Sequence, residues 1–300
     1  PSILEDILKD LQKIGATPIL VGGCVRDYFL NIPVKDYDVE IFGIDCIQTI
    51  EKSLQKFGSV KLVGKSFGVL TLRVNKYDFD FALPRTETKI GLSHQDFEVI
   101  TNASLSFKEA AIRRDFTINA IGYDFFKEEF IDPFDGIEDL RTKTIKHIND
   151  KTFIEDSLRV YRAVAFASRF KFKIEEKTKE LCKQIVIKNE LKYLPKERVY
   201  EEFKKLFLKS SKPSIGFELM REIGILKYFS ELQALINCIQ EPEYHPEGDV
   251  WVHTMMALDE MARILKEENI ENDYKELYLF YSILCHDFGK PFCTEEINGK

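Results

Sequence analysis

The spacing of apolar residues changes character midway along the chain. At the start, SILEDILKDLQK places aliphatic residues three and four apart, which predicts an amphipathic helix with an acidic outer face. TPILVGG is an unbroken apolar run closed by a glycine pair, and CVRDYFL returns to helical spacing. KDYDVEIFG, SVKLVG, GVLTLRV and YDFDFAL are rich in β-branched and aromatic residues and alternate in places, which predicts strands; residues 46–57 between them read as a helix. Residues 84–105 are polar without a clear period and predict a mobile loop. Two more short strands are predicted near 120–125 and 143–147, around the turn-rich DPFDGIEDL.

From about residue 151 the periodic runs are helical. SLRVYRAVAFASRF, EEKTKELCKQIVI, ERVYEEFKKLFL and SIGFELMREIGIL are amphipathic with short breaks, and Pro195 sits where a helix begins. EPEYHPEGDV, at 241–250, is a Pro/Gly-rich break and a predicted boundary, followed by helices near 250–267 and 273–286. The pattern predicts an α+β protein. A head with a mixed β-sheet spans 1–150, an all-α body 151–240, and the opening of a third, helical domain 241–300.

A chain of 300 residues exceeds one ordinary core, in keeping with this division. With 44% hydrophobic and 31% charged residues the composition is globular, and no run approaches 18 consecutive apolar residues, so no membrane span is expected. The N-terminal helix lacks the basic and apolar regions of a signal peptide. The six cysteines show no CxxC spacing, which argues against a disulfide framework or a cysteine zinc site. A reducing, cytoplasmic location is the expectation. The net charge of −7 is unevenly spread: residues 141–212 hold 20 Lys and Arg against 10 Asp and Glu. That segment fits either a surface for a polyanion or a solvated helical face.

Candidate chemistry concentrates in the head. Gly22 and Gly23 join a predicted strand to a predicted helix, where glycine lets a polyphosphate approach the backbone and a helix start offers free N–H groups. Arg26, one turn on, is placed to reach such a group, and Asp27 to orient it. Taken alone, the glycine pair also fits a plain tight turn. Asp36 and Asp38 alternate on a strand, so their carboxylates share a face and repel unless a cation lies between or beside them. Magnesium takes one or two carboxylates with water and substrate phosphates, and two such ions promote in-line displacement at phosphorus. A solvent-facing acidic strand edge fits the pair as well. Asp80 in YDFDFAL is a candidate third carboxylate.

LVGGCVRDYFLNIPVKDYDVEIFG resembles the head motif of class II tRNA nucleotidyltransferases, the CCA-adding enzymes and bacterial poly(A) polymerases. RRDFTINAIGYD, DPFDGIEDL, EDSLRVYRAVAF and LPKERVYEEFKKLF resemble the later motifs of that family, in its order, over roughly 200 residues. The resemblance implies a polymerase-β-like nucleotidyltransferase head that adds C and A from CTP and ATP to tRNA 3′ ends, without a template and with two Mg2+ ions. Gly23 and Arg26 are then expected at the nucleotide phosphates, with Gly22 in the same turn, and Asp36 and Asp38 at the metals. Arg114 is expected on the incoming nucleotide, with Asp115 and Asn119 near its ribose.

Asp156 and Arg159 are implied at the Watson–Crick edge of the base. Three residues apart on a predicted helix, they share a face. A carboxylate accepting an exocyclic amine beside a guanidinium donating to a ring acceptor matches C and A, not U and G. Arg162 is implied at the triphosphate. The family's second arginine falls at Ala165 here, a departure that leaves one phosphate contact missing or supplied by Arg169. The loop 84–100 resembles the segment that helps switch from C to A addition.

HPEGDVWVHTMMAL and LFYSILCHDFGKP resemble the opening of an HD-type metal phosphohydrolase, with His253, His286 and Asp287 as metal ligands and further ligands expected after residue 300. Three readings follow: a tRNA CCA-adding enzyme; a narrower transferase adding only A, only CC or a poly(A) tail; and an HD phosphohydrolase or non-catalytic RNA binder carrying a transferase head.

Overall fold

The computed structural model describes residues 1–63, 68–89, 97–268, 270 and 272–293. They gather into two compact units, Pro1–Asp156 and Ser157–Lys300.

In the first unit, α1 (Ser2–Lys13) buries Leu4, Ile7, Leu8 and Leu11, the stripe its sequence period dictates. β1 (Thr17–Val21), α2 (Gly23–Phe29) and β2 (Asp36–Phe42) follow, then α3 (Ile47–Leu54), β3 (Val60–Val63), β4 (Val69–Val74) and β5 (Tyr77–Ala82). After β6 (Arg85–Lys89), β7 (Phe97–Thr101) and α4 (Phe107–Ala111) come β8 (Gly122–Asp124) and β9 (Glu129–Ile131). Seven strands form one sheet in the order β3-β4-β5-β2-β1-β8-β9. The β2–β5 pair is parallel and the other described pairs of the sheet are antiparallel, so the sheet is mixed.

β2 shows how pattern becomes architecture. Val39 and Ile41 are buried at 1% and 0% exposure, and Phe79 and Phe81 of β5 at 0%. Burying each of those phenyl rings is worth roughly 1.5–3 kcal/mol. A one-residue slip would forfeit that burial and turn the carboxylates inward, so the core fixes the register.

α5 (Gly136–Arg141) packs on a short 3-10 turn, Thr117–Asn119. A Cβ at Gly136 would lie 2.3 Å from Thr117 O, so only glycine allows this approach. Asp132 accepts the N–H groups of Gly136 and Ile137, and Thr117 Oγ1 donates to Asp139 at 2.6 Å. β10 (Thr144–Ile145) and α6 (Asp150–Glu155), capped by Asn149, complete the unit.

The second unit is helical: α7 (Arg159–Phe170), a two-residue β11 (Lys173–Ile174), α8 (Glu176–Ile187), α9 (Lys196–Lys209), α10 (Pro213–Ile223), α11 (Ser230–Ala234), α12 (Val250–Glu267), α13 (Asp273–Cys285) and α14 (Lys290–Cys293). Phe203, Phe207, Phe217 and Phe280 form an aromatic core, with Phe207 and Phe280 stacked at 5.0 Å. α12 is bonded onto α10. Trp251, fully buried, donates Nε1–H to Glu218 at 2.5 Å, and Asp259 accepts from the backbone and hydroxyl of Ser214. Residues 241–249 therefore lead into a helix that shares the core of this unit.

One expectation changes here. The segment 84–105 is not a loop throughout, because β6 and β7 pair antiparallel, Arg85 opposite Thr101 and Lys89 opposite Phe97. TETK and FEVIT carry β-branched residues, and the polar side chains among them hide the usual in–out alternation. Residues 90–96, in the loop expected to switch specificity, lie outside the described residues.

Candidate active site

The site grows from the end of β1. Gly22 has φ +71° and ψ −133°, a conformation open to glycine, and the turn it makes brings β2 against the start of α2. A Cβ at Gly22 would lie 3.0 Å from Asp38 Oδ2 and 3.3 Å from Arg114 Nη1. Asp38 accepts the backbone N–H of Gly23. The glycine pair thus touches both the acidic strand and an arginine, as a plain turn would not need to.

The parallel pairing places Asp36 opposite Asp78 and Asp38 opposite Asp80, so four carboxylates share one face of the sheet. Arg73 faces Asp78 at 3.5 Å. Asp36, Asp38 and Asp80 remain as a hard-oxygen group open to solvent. Partial loss of hydration among its neighbours pushes the Asp38 carboxyl above its ordinary range; Arg114 opposes this, and Asp80 and Asp36 add to it. A divalent cation would relieve that repulsion, and the all-oxygen donor set fits magnesium.

Arg26 is 5% exposed and held from two sides. Its Nε donates to Asp27 at 2.7 Å, and its Nη1 to Asn119 Oδ1 at 2.7 Å. Asn119 Nδ2 in turn donates to Asp115 at 2.9 Å, and Asp115 also accepts the N–H of Phe116. A Cβ at Gly23 would meet Arg26 Nη2 at 3.5 Å, so the guanidinium folds back over the glycine turn. The structure therefore gathers Gly22, Gly23, Arg26, Asp36, Asp38, Arg114, Asp115 and Asn119 into one site. Asp115 and Asn119, each 7% exposed, bond to one another, and Asn119 also bonds to Arg26.

Sequence reasoning missed Glu40. It occupies the next position on the carboxylate face of β2, yet it is 1% exposed. Its oxygens receive Arg113 Nη2 at 2.7 Å and Arg114 Nη2 at 3.2 Å. Burial raises its carboxyl, but the two guanidiniums outweigh that and hold it below the ordinary range. Glu40 is thus the anchor of Arg114 and not a third acidic ligand. The i, i+2, i+4 spacing of Asp36, Asp38 and Glu40, with Arg113-Arg114 in one later motif, was the available signal. Arg113 also lies 3.9 Å from Glu87, which pairs with Arg85 at 2.8 Å, so the cluster reaches the β6–β7 ribbon.

Asp156 and Arg159 are not on one helix. α6 ends at Glu155, Asp156 is extended at φ −118° and ψ 95°, and α7 begins at Arg159, so the three-residue spacing implies no shared face. Arg162 lies on α7, 3.8 Å from Glu202 and over the ring of Phe166 at 5.3 Å. Ala165 is buried, and Arg169 lies over Phe170 at 4.7 Å. In the second unit, one donor atom from each of His253, His286 and Asp287 falls within 4.8 Å of the others. Asp287 is already paired with Lys290 at 2.8 Å. Among the described residues no helix is long and apolar enough to cross a membrane.

Residues 19–146 match the family described as the poly A polymerase head domain, and 171–236 match a probable RNA and SrmB-binding site of polymerase A. The multifunctional CCA protein of Mannheimia succiniciproducens is 38% identical over 282 residues, covering 93% of this chain and 64% of that protein. The chain therefore spans less than two thirds of that relative. A solved structure described as a tRNA-processing enzyme in an apo form superposes with a TM-score of 0.69 at 28% identity, covering 93% of this chain and 72% of its own. A CCA-adding enzyme in complex with ATP superposes with a TM-score of 0.69 at 25% identity, covering 99% of this chain and 63% of its own.

Proposed function

We propose that this chain, whose residues 19–146 match the poly A polymerase head domain, adds C and A nucleotides from CTP and ATP to tRNA 3′ ends. The observation that carries this is the convergence of Asp36 and Asp38 with the Gly22-Gly23 turn and Arg114. Magnesium held by Asp36 and Asp38 would supply a lowered pKa at the ribose 3′-hydroxyl and charge neutralisation at the leaving pyrophosphate. Asp80, opposite Asp38, adds a third acidic group on the same face.

The chain's own residues do the positioning. The Gly22-Gly23 turn leaves the triphosphate room to lie against the backbone, where any Cβ at Gly22 would intrude on Asp38. Arg114 reaches that space with Nη1, which would lie 3.3 Å from a Cβ at Gly22, a donor suited to a phosphate oxygen. Arg26 is locked toward the turn by Asp27 and Asn119, so little side-chain entropy is lost when a phosphate binds. Asp115, expected at the ribose, works one layer back by holding Asn119. Asp156 and Arg159 would read the amine and adjacent acceptor shared by cytosine and adenine, with Arg162 contributing charge for the triphosphate. The lysine-rich helices α8 and α9 are the surface offered to the acceptor stem, whose A-form shape and phosphates dominate recognition.

The test is tRNA ending at the discriminator base, incubated with labelled CTP or ATP and sized on a gel. Stepwise C, C, A addition is expected, and Asp38→Ala should lower incorporation by at least about 10³-fold while tRNA binding persists. Unaltered incorporation by that variant would remove the basis of the assignment. A ladder of A residues would redirect the reading to poly(A) synthesis. The His253, His286 and Asp287 group supports a second, metal-dependent phosphohydrolase reading, tested by release of phosphate from a nucleotide monophosphate.

A further inference from the structure

Beside the His253–His286–Asp287 group stands a second constellation, whose His245 and Glu247 neither the transferase nor the HD reading uses. His245 Nδ1 and His253 Nδ1 converge on one carboxylate oxygen, Glu247 Oε1, at 3.1 and 2.7 Å. The imidazole rings of His245 and His253 are 5.2 Å apart and nearly perpendicular, so they approach Glu247 from different directions. One donor atom from each of the three residues lies within 4.8 Å of the others.

The geometry points to a divalent transition-metal site formed by His245, Glu247 and His253, separate from the HD ligands and sharing only His253 with them. Bonds of about 2.0–2.1 Å at the tetrahedral angle set ligand atoms roughly 3.3 Å apart. The two contacts to Glu247 are already close to that spacing, so an ion could enter with small side-chain adjustments. Two imidazoles and one carboxylate form a borderline donor set, suited to Zn2+ or Co2+ more than to Mg2+. Three protein ligands leave a coordination position for water or substrate, the pattern of catalytic rather than purely structural zinc.

The loop carrying the ligands is pinned before any ion arrives. The N–H of His245 donates to Glu241 O, and that of Gly248 to His245 O. Asp249 accepts the N–H groups of Val252 and Asn237, and Val250 N–H reaches Cys238 O. Partial side-chain exposure, 28% at His245, 16% at Glu247 and 30% at His253, leaves a path for entry. The HD group differs in its charge. Asp287 Oδ2 lies 2.8 Å from Lys290 Nζ as well as 3.2 Å from His286 Nε2, and Lys290 also donates to Gln240 at 2.6 Å, so an ion there would compete with a cation. Glu247 is met instead by two imidazoles that a metal can bind in their neutral form.

The experiment removes bound metal with a chelator, titrates Zn2+ into the full chain by calorimetry, and counts retained ions by elemental analysis. His245→Gln and Glu247→Gln should each weaken the tightest binding by more than about 100-fold, beyond the 10- to 100-fold typical of losing an outer-shell partner. The double variant His286→Gln, Asp287→Asn should keep that binding. If the double variant abolishes it while His245→Gln retains it, Glu247 and His245 merely orient His253 for the HD ion and the inference fails. Loss in both sets also overturns it, because all five residues would then serve one ion. A wild-type chain that binds no Zn2+, and shows no Co2+ spectrum of histidine ligation, refutes it without any variant. Thermal melts and nucleotide incorporation by His245→Gln and Glu247→Gln, expected to match wild type, separate ligand loss from misfolding and from failure of the transferase reading.

Discussion

Replacing Glu40 by Gln keeps the shape of the side chain and removes one charge from beneath two guanidiniums. Breaking a buried ion pair by neutralising one partner costs about 3–5 kcal/mol. Arg113 and Arg114 retain 17% and 15% side-chain exposure, so water recovers part of that loss, and about 2–3 kcal/mol is expected here. For a unit of this size the cost corresponds to a melting point lower by roughly 4–12 °C. The functional effect is separate. Arg114 would lose the bond at 3.2 Å that aims it past Gly22, and an error of that kind at a phosphate contact raises KM more than it lowers kcat. An increase of about tenfold in KM for CTP equals 1.4 kcal/mol of binding. Denaturant unfolding and initial-rate kinetics on Glu40→Gln measure both effects, with the exposed Glu129→Gln as a control expected within about 0.5 kcal/mol of wild type. Wild-type stability together with wild-type KM would mean that Glu40 does not hold Arg114.

Two further outcomes follow from the same face of the sheet. Gly22→Ala forces a side chain into φ +71°, ψ −133°, at a strain of about 1–3 kcal/mol, and sets a methyl 3.0 Å from Asp38. Incorporation should fall at least about tenfold with only a modest drop in melting temperature, and full activity would exclude the turn from the phosphate site. Asp38→Asn should raise the melting temperature of the metal-free protein at neutral pH. A carboxyl pushed up in the folded state destabilises that state wherever it is ionised, and the effect vanishes as pH falls below its unfolded value. Mg2+ should stabilise the wild type and leave Asp38→Asn nearly unchanged, as calorimetry in chelator and in Mg2+ would show; equal shifts would contradict the metal assignment.

The chain spelled out what local rules govern. Alternation on β2 announced the shared face of Asp36 and Asp38, and the step from apolar run to glycine pair announced the turn. What it hid depends on distant partners. Nothing local marks Glu40, whose role depends on strand pairing and on the Arg113-Arg114 motif that encloses it. The shared helical face expected for Asp156 and Arg159 is lost because helical spacing continues through EDSLRVYR, whereas the backbone extends at Asp156. β6 and β7 were missed because their polar residues carry no alternating signal. His245 and Glu247 sat in a Pro/Gly-rich stretch that read as a boundary, although their spacing to His253 was visible.

Arg26 takes its orientation from Asn119, which lies 93 residues further along the chain. During synthesis the glycine turn and the acidic strand therefore emerge long before the group that aims the arginine between them. A nascent chain that has not reached the 3-10 turn, and the helix Gly136–Arg141 clamped over it, holds the acids with the guanidinium steadied from one side, by Asp27, and not yet by Asn119. Nucleotide affinity should consequently appear in one step, once the far end of the head has closed, so that partly made protein does not sequester triphosphates.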